Sequence, residues 1–229
     1  MYSLLLLNGG VGTRAGAGQP KQLVKVNGLP ILVYSLVAAD AVDDITQIVL
    51  NYPDGWRQQI EAIVSDYAIR TPVTYVRAGA SRHESVRAML DVATEQDVVI
   101  HETARPLVSS DDFRSLVASE HRNVSLMLEI PFTVAPVDPD ERRVTGYLER
   151  STLRNVQLPQ KFSIADLRDA HAFAEREDRL FTEDATLVAV AGHDVRFVAG
   201  SDRNIKVTTP TDIKLATYLL TGGDENWND

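Results

Sequence analysis

Cysteine is absent from the 229 residues, which excludes disulfides, thiolate catalysis and zinc–thiolate sites. No apolar run approaches the roughly 18 residues of a membrane-spanning helix. The apolar start, Tyr2–Leu7, is short and gives way to glycine. It has neither a basic leader nor a small-residue cleavage site, so it reads as a strand and not as a signal peptide. Long basic runs are also missing. With 23 Lys and Arg against 32 Asp and Glu, the formal net charge is −9. The chain therefore lacks the basic footprint that nucleic acids and anionic membranes require. Small anionic substrates stay compatible, because local Arg and Lys clusters act over short range. The histidines, at positions 83, 101, 121, 171 and 193, show no metal-ligand spacing, and His101 reads as a packed strand-end residue. The expectation is a cytoplasmic protein without nucleic-acid or membrane partners.

What is present suits one α/β domain spanning 1–229. Apolar strand-like runs occur at Tyr2–Leu7, Ile45–Leu50, Val73–Val76, Val98–His101, Val124–Ile130, Val195–Val198 and Ile205–Val207. Helix-like segments fall between them at Ile31–Ala39, Trp56–Ser65, Arg82–Val92, Asp111–Ser119, Ile164–Arg176 and Asp184–Ala191, with a last one from Pro210 to Leu220. Several starts carry capping chemistry: Ser81 with Glu84 as a capping box, Thr209 before Pro210, Ser110 before two aspartates, and Thr182 before Glu183 and Asp184. The alternation predicts a Rossmann-like, mostly parallel sheet with helices on both faces.

One stretch breaks the rhythm. Residues 131–155 hold Pro136, Pro139, a charged turn and the β-rich Val144–Leu148. They read as a protruding two-stranded β-arm. Because an isolated hairpin is marginal in water, the arm is expected to pack on a second subunit as a dimerisation arm. The competing reading is a mobile surface loop.

The strongest local signal follows the first strand: Asn8-Gly9-Gly10-Val11-Gly12-Thr13-Arg14, then Ala15 to Gly18, then Gln19-Pro20-Lys21-Gln22. Glycines let backbone N–H groups surround phosphate oxygens, and ligands of open α/β sheets bind at the carboxyl ends of strands. Gly10 to Ala15 formally fits G-x-G-x-x-A, but a dinucleotide loop runs directly into a helix, whereas more glycine and Pro20 follow here. A Walker loop is excluded, since no Gly-Lys-Ser/Thr occurs. Arg14 and Lys21 stand within the loop, where a triphosphate would lie, the one as a planar fork and the other as a point charge.

Gly9 to Gln22, Val24 to Leu32, Ser81 to Val86, His101 to Leu107, Pro159 to Phe162, Thr182 to Thr186 and Asn204 to Thr208 together resemble, in order, the motifs of the methylerythritol-phosphate and ribitol-5-phosphate cytidylyltransferases. The resemblance implies a nucleotide-diphospho-sugar transferase-like fold and a reaction between CTP and a polyol phosphate, giving a CDP-polyol and pyrophosphate. It implies nucleotide binding by Asn8, Gly9, Gly10, Gly12, Gly79, Arg82, Ser85 and Thr103. Arg14, Lys21, Arg150 and Lys206 would carry the catalytic charge, Lys206 from the end of a late strand. Glu102, Arg105, Ala135 and Leu158 fall on substrate-binding positions, with Arg105 and Arg150 holding the polyol phosphate and Arg150 delivered across a homodimer interface. Mg²⁺ would be held mainly by the phosphates, with Glu102 the candidate protein ligand. Three departures concern the polyol side: Glu102 where an aspartate is usual, and Ala135 and Leu158 where threonines are expected. Lost hydroxyls change which substrate groups can be paired. These departures and the wording of Gly9 to Arg14 favour ribitol 5-phosphate, a cell-surface polymer precursor, with 2-C-methyl-D-erythritol 4-phosphate of isoprenoid synthesis as the alternative. A non-catalytic nucleotide-binding scaffold is the reading from another class. A hexose-1-phosphate nucleotidylyltransferase would fit the glycine loop but not the Arg105 and Lys206 segments.

Overall fold

The computed structural model describes residues 1–10 and 19–222, and every structural statement below concerns those residues. The chain begins with β1 (Tyr2–Leu7), the short pair β2 (Lys25–Val26) and β3 (Leu29–Pro30), and α1 (Ile31–Asp40). Then come β4 (Ile45–Tyr52), α2 (Arg57–Asp66), β5 (Val73–Arg77), α3 (Arg82–Leu90), β6 (Asp97–Glu102), α4 (Ser110–Val117) and β7 (Val124–Glu129). A small hairpin of β8 (Val137–Asp138) and β9 (Arg143–Val144) precedes β10 (Arg154–Ser163). The chain closes with α5 (Ile164–Arg176), α6 (Asp184–Val190), β11 (Arg196–Ala199) and α7 (Pro210–Leu220).

The seven-stranded sheet has the order β11-β7-β10-β6-β1-β4-β5. Its strands run parallel except β10, which is antiparallel to both neighbours. The unbroken leucine run of β1 is explained by burial on both faces. Leu4 and Leu6 pack into one cluster with Leu32, Leu36, Ile48, Phe113 and Leu116, below α1, α2 and α4. Leu5 packs into the other with Val49, Met89, Phe162 and Leu167, below α3, α5 and α6. Mostly parallel strands covered on both faces are thus the α/β architecture expected.

Several local expectations need correction. β10 is absent from the predicted strands, and it contains Pro159, a residue ordinarily kept out of strand interiors. The ladder skips from Gln157 to Gln160, so the proline sits in a bulge where no ladder N–H is needed. No strand forms at 205–207. That segment lies beside the sheet's end, tied to it by Val207 N donating to Ala104 O at 2.7 Å. Ser81 caps α3 by accepting from Glu84 N, but the Glu84 carboxylate turns to Ala80 N, so the box is not closed. α4 is boxed by Ser109 and Asp112 instead of starting after Ser110, and α6 is capped by Glu183 instead of Thr182. Thr209, with Pro210 following, caps α7 in a full box with Asp212.

Candidate active site

In this strand order the chain leaves β1 toward β4 and β5, then returns to β6 on the other side of β1. Such a switch point opens a crevice at the carboxyl ends of the strands. A cleft of about 790 Å³ occupies it. Of the residues singled out from sequence, Asn8, Gly9, Gly10, Lys21, Gly79, Arg82, Ser85, Glu102, Thr103, Arg105, Leu158 and Lys206 line this cleft. Gly12 and Arg14 lie outside the described residues.

The first wall is a backbone cradle. Asn8 is buried at the end of β1; its N–H donates to Asn51 Oδ1, and its carbonyl accepts from Gln22 Nε2. Thr103 Oγ1 donates to Asn8 Oδ1 at 3.0 Å. These bonds lock the strand end from both neighbouring strands. At Gly9 a Cβ would stand 2.4 Å from Ala78 Cβ and 3.0 Å from Asn51 Nδ2, so no side chain fits. Gly10 faces open space. Next to Gly9, in the loop after β5, Gly79 N donates to Ser85 Oγ at 3.0 Å, and that hydroxyl donates to Ser81 O at 2.8 Å. Ser85 therefore uses its proton to hold the loop that carries Gly79. A Cβ on Gly79 would fall 2.5 Å from Glu84 Cβ.

The second wall is charged. Glu102 closes β6 and accepts from Arg105 Nε at 2.9 Å, while Lys206 Nζ stands 2.6 Å from its other oxygen. Burial pushes the Glu102 carboxyl up, but the Lys206 and Arg105 charges outweigh it and hold the group below the usual glutamate range. Arg105 gains a second anchor, donating from Nη1 to Asn204 O at 2.8 Å. Asn204 is fully buried, and its side chain donates to Leu158 O at 2.7 Å. Lys206 is thereby delivered by an irregular segment clamped between β10 and the β6 end. Lys21 Nζ approaches Val207 O at 3.4 Å. Leu158, in the β10 bulge, adds an apolar surface that is almost fully buried.

Arg150 and Ala135 are not in this cleft. Arg150 sits exposed in a short 3₁₀ turn, Arg150–Thr152, donating to Pro131 O at 3.0 Å. Ala135 is exposed before the hairpin. Sequence reasoning also missed several residues. Asn51, Gln157 and Gln160 line the cleft, and buried Asp184 pairs with Arg82. His83 and His171, 88 positions apart, meet at 2.9 Å. Burial holds His171 down at about 3, so the histidine at the centre of the cluster is neutral. His101 is fully buried and packs edge-on against Phe113, its pKa likewise lowered by burial to about 3. Spacing alone carries no signal for these pairings, because each joins elements distant in the chain.

The sequence and the fold are similar to those of known proteins. The sequence pattern of the 2-C-methyl-D-erythritol 4-phosphate cytidylyltransferase family matches residues 3–222. The chain is 36% identical over 223 residues to the 2-C-methyl-D-erythritol 4-phosphate cytidylyltransferase of Bacillus cytotoxicus, covering 96% of this chain and 98% of that one. It is 35% identical over 227 residues to the enzyme of that name from Nostoc punctiforme, with the same coverage. Its structure resembles that of the Thermus thermophilus 2-C-methyl-D-erythritol 4-phosphate cytidylyltransferase, with TM-score 0.76, 28% identity, and coverage of 96% and 100%. The fold of an Anaerococcus prevotii 4-diphosphocytidyl-2C-methyl-D-erythritol synthase is similar as well, with TM-score 0.85, 22% identity and 96% of each chain covered. These matches favour the alternative polyol of the sequence analysis over ribitol 5-phosphate.

Proposed function

Because the chain belongs to the 2-C-methyl-D-erythritol 4-phosphate cytidylyltransferase family, we propose that this CTP-dependent cytidylyltransferase uses 2-C-methyl-D-erythritol 4-phosphate as its second substrate. The observation that carries the reading is the cleft itself, which Lys21, Arg105 and Lys206 line together with Gly9 and Gly79. The family match over residues 3–222 supports the choice of polyol.

In this reading Gly9, Gly10 and Gly12 hold triphosphate oxygens through backbone N–H groups. Asn8, Gly79, Arg82, Ser85 and Thr103 bind the nucleotide. A phosphate oxygen of the polyol attacks the α-phosphorus of CTP, and pyrophosphate leaves with the electrons of the broken P–O bond. The chemistry needs alignment and charge neutralisation more than a protein nucleophile. Lys21 and Lys206, with Arg14, supply positive charge at the reacting phosphates. Arg105, oriented by Glu102, receives the polyol phosphate. A Mg²⁺ ion would be held mainly by the substrate phosphates, because both oxygens of Glu102, the carboxylate expected to assist, are engaged by Arg105 and Lys206. The ion would neutralise phosphate charge.

We further propose one nucleotidyltransferase domain whose arm, 131–155, packs on a second copy of the chain. The arm exposes Phe132, Val137, Val144 and Tyr147 at 76, 57, 63 and 74%, an apolar surface that water disfavours. Pairing would bring Arg150 of a second copy toward the cleft. Replacing both Phe132 and Tyr147 with Ser is expected to yield monomers in sedimentation, with loss of turnover.

The test of function is pyrophosphate release with CTP and Mg²⁺ against 2-C-methyl-D-erythritol 4-phosphate, ribitol 5-phosphate and glycerol 3-phosphate. The methylerythritol compound is expected to have the highest kcat/KM. Turnover on ribitol 5-phosphate with none on methylerythritol phosphate would overturn the choice of polyol.

A further inference from the structure

Asp184 is the first residue of α6, buried to within a few per cent, and it does not line the cleft. It is not needed as a cap. Glu183 takes that role, accepting from Ala185 N and Thr186 N at 2.9 Å each. A carboxylate this deep must be paired with a cation or give up its charge. Its partner comes from 102 positions earlier in the chain: Arg82 Nη2 donates to Asp184 Oδ2.

The remaining neighbours do not compete for this role. His171 Nε2 lies 3.8 Å from the second Asp184 oxygen, beyond hydrogen-bonding reach. His171 is itself buried against His83, with ring centroids 4.0 Å apart, and burial keeps it neutral. Arg82 stands at the start of α3 and lines the cleft beside Gly79 and Ser85. Its Nε has no hydrogen-bond partner in the described protein. A guanidinium gripped by one nitrogen keeps its other donors for a second acceptor in the same plane.

We propose that Asp184 is a positioning residue that aims the Arg82 guanidinium into the nucleotide side of the cleft. It acts on the substrate only through Arg82, and Arg82 takes a phosphate or ribose oxygen of CTP. The inference deepens the function proposed above and rests on it for the identity of the nucleotide. Without its carboxylate the long Arg82 side chain would regain its rotamers, and a shift of about 1 Å at such a group costs on the order of a hundredfold.

The experiment is a double-mutant cycle on the full chain, with Asp184→Asn, Arg82→Ala and both together. Three readouts are taken for each protein: CTP affinity by calorimetry without polyol, kcat and KM for each substrate, and thermal melting. Asp184→Asn is expected to lower kcat/KM for CTP by roughly 10- to 100-fold, leaving the KM for the polyol phosphate near its starting value. In the Arg82→Ala background the same substitution is expected to cause no further loss. It should also raise the melting temperature there, by removing a buried charge without a partner. The proposal is overturned if Asp184→Asn leaves CTP parameters unchanged. It is equally overturned if its loss multiplies fully with that of Arg82→Ala, or if the deficit appears only in polyol KM. The calorimetric arm separates the two claims. Absence of turnover on every polyol phosphate would sink the function, while CTP affinity would still decide the role of Asp184.

Discussion

Replacing Glu102 with Gln tests the electrostatics of the cleft most directly, because it keeps the shape and removes the charge. The Glu102 and Arg105 side chains are each 12% exposed, whereas Lys206 is 45% exposed. Removing one partner of a buried ion pair costs roughly 3–5 kcal/mol, and the half-exposed lysine contact adds at most about 1 kcal/mol. Gln can still accept one hydrogen bond, so a net loss of about 2–4 kcal/mol is expected. For a chain of this size each kcal/mol moves Tm by about 2–4 °C, giving a drop of about 4–16 °C at pH 7. The dependence on pH gives the sharper check. The Glu102 pKa is lowered in the folded state from its ordinary 4.5, so the unfolded chain binds the proton more readily and stability rises with pH across that window. The carboxylate's contribution is complete above about 4.5 and disappears as pH falls through the lowered value. Melting curves of the two proteins from pH 8 to 3 are therefore expected to run apart at neutral pH and converge in acid, where protonated Glu102 resembles Gln. Equal stability at pH 7, or a gap that widens on acidification, would refute the ion-pair account.

Two further outcomes follow from local geometry. Gly9→Ala places a methyl 2.4 Å from Ala78 Cβ, so β1 and the β5 end must part, and calorimetry is expected to show CTP affinity reduced at least tenfold, a loss of about 1.4 kcal/mol. Thr209→Ala removes the cap of α7 and is expected to lower stability by about 1 kcal/mol in chemical denaturation. Asp212 closes the same box, and bonds from the Thr208 hydroxyl and neighbouring N–H groups hold it at about 2. Its share of stability is present above the ordinary 3.8 and lost as pH falls toward 2.

The parts of the molecule legible in the sequence are those whose causes are local. The four-leucine run of β1 reports burial on two faces, and Thr209-Pro210 reports a helix start. The glycine cradle is legible at Gly9 and Gly79 because both must lack a side chain for steric reasons. What stayed hidden depends on distant contacts. Pro159 masks β10, since only the pairing of Gln157 and Gln160 with β7 reveals that a bulge absorbs it. Lys206 reads as the end of a strand from its apolar neighbours, yet Asn204 and Arg105 hold it outside the ladder. Asp184 reads as a helix-start acid, which it is, but its enclosure is not legible, because it depends on α6 folding back over α3 and α5.

The reversed direction of β10 has a consequence for how this protein can change over time. Since β7 ends and β10 begins at the sheet edge where the cleft opens, the chain between them leaves and re-enters there. Residues can be inserted in or deleted from that excursion without shifting a single rung of the ladder on either side. A lineage can thus remodel the hairpin's reach while inheriting the buried scaffold and the strand ends that line the cleft unaltered.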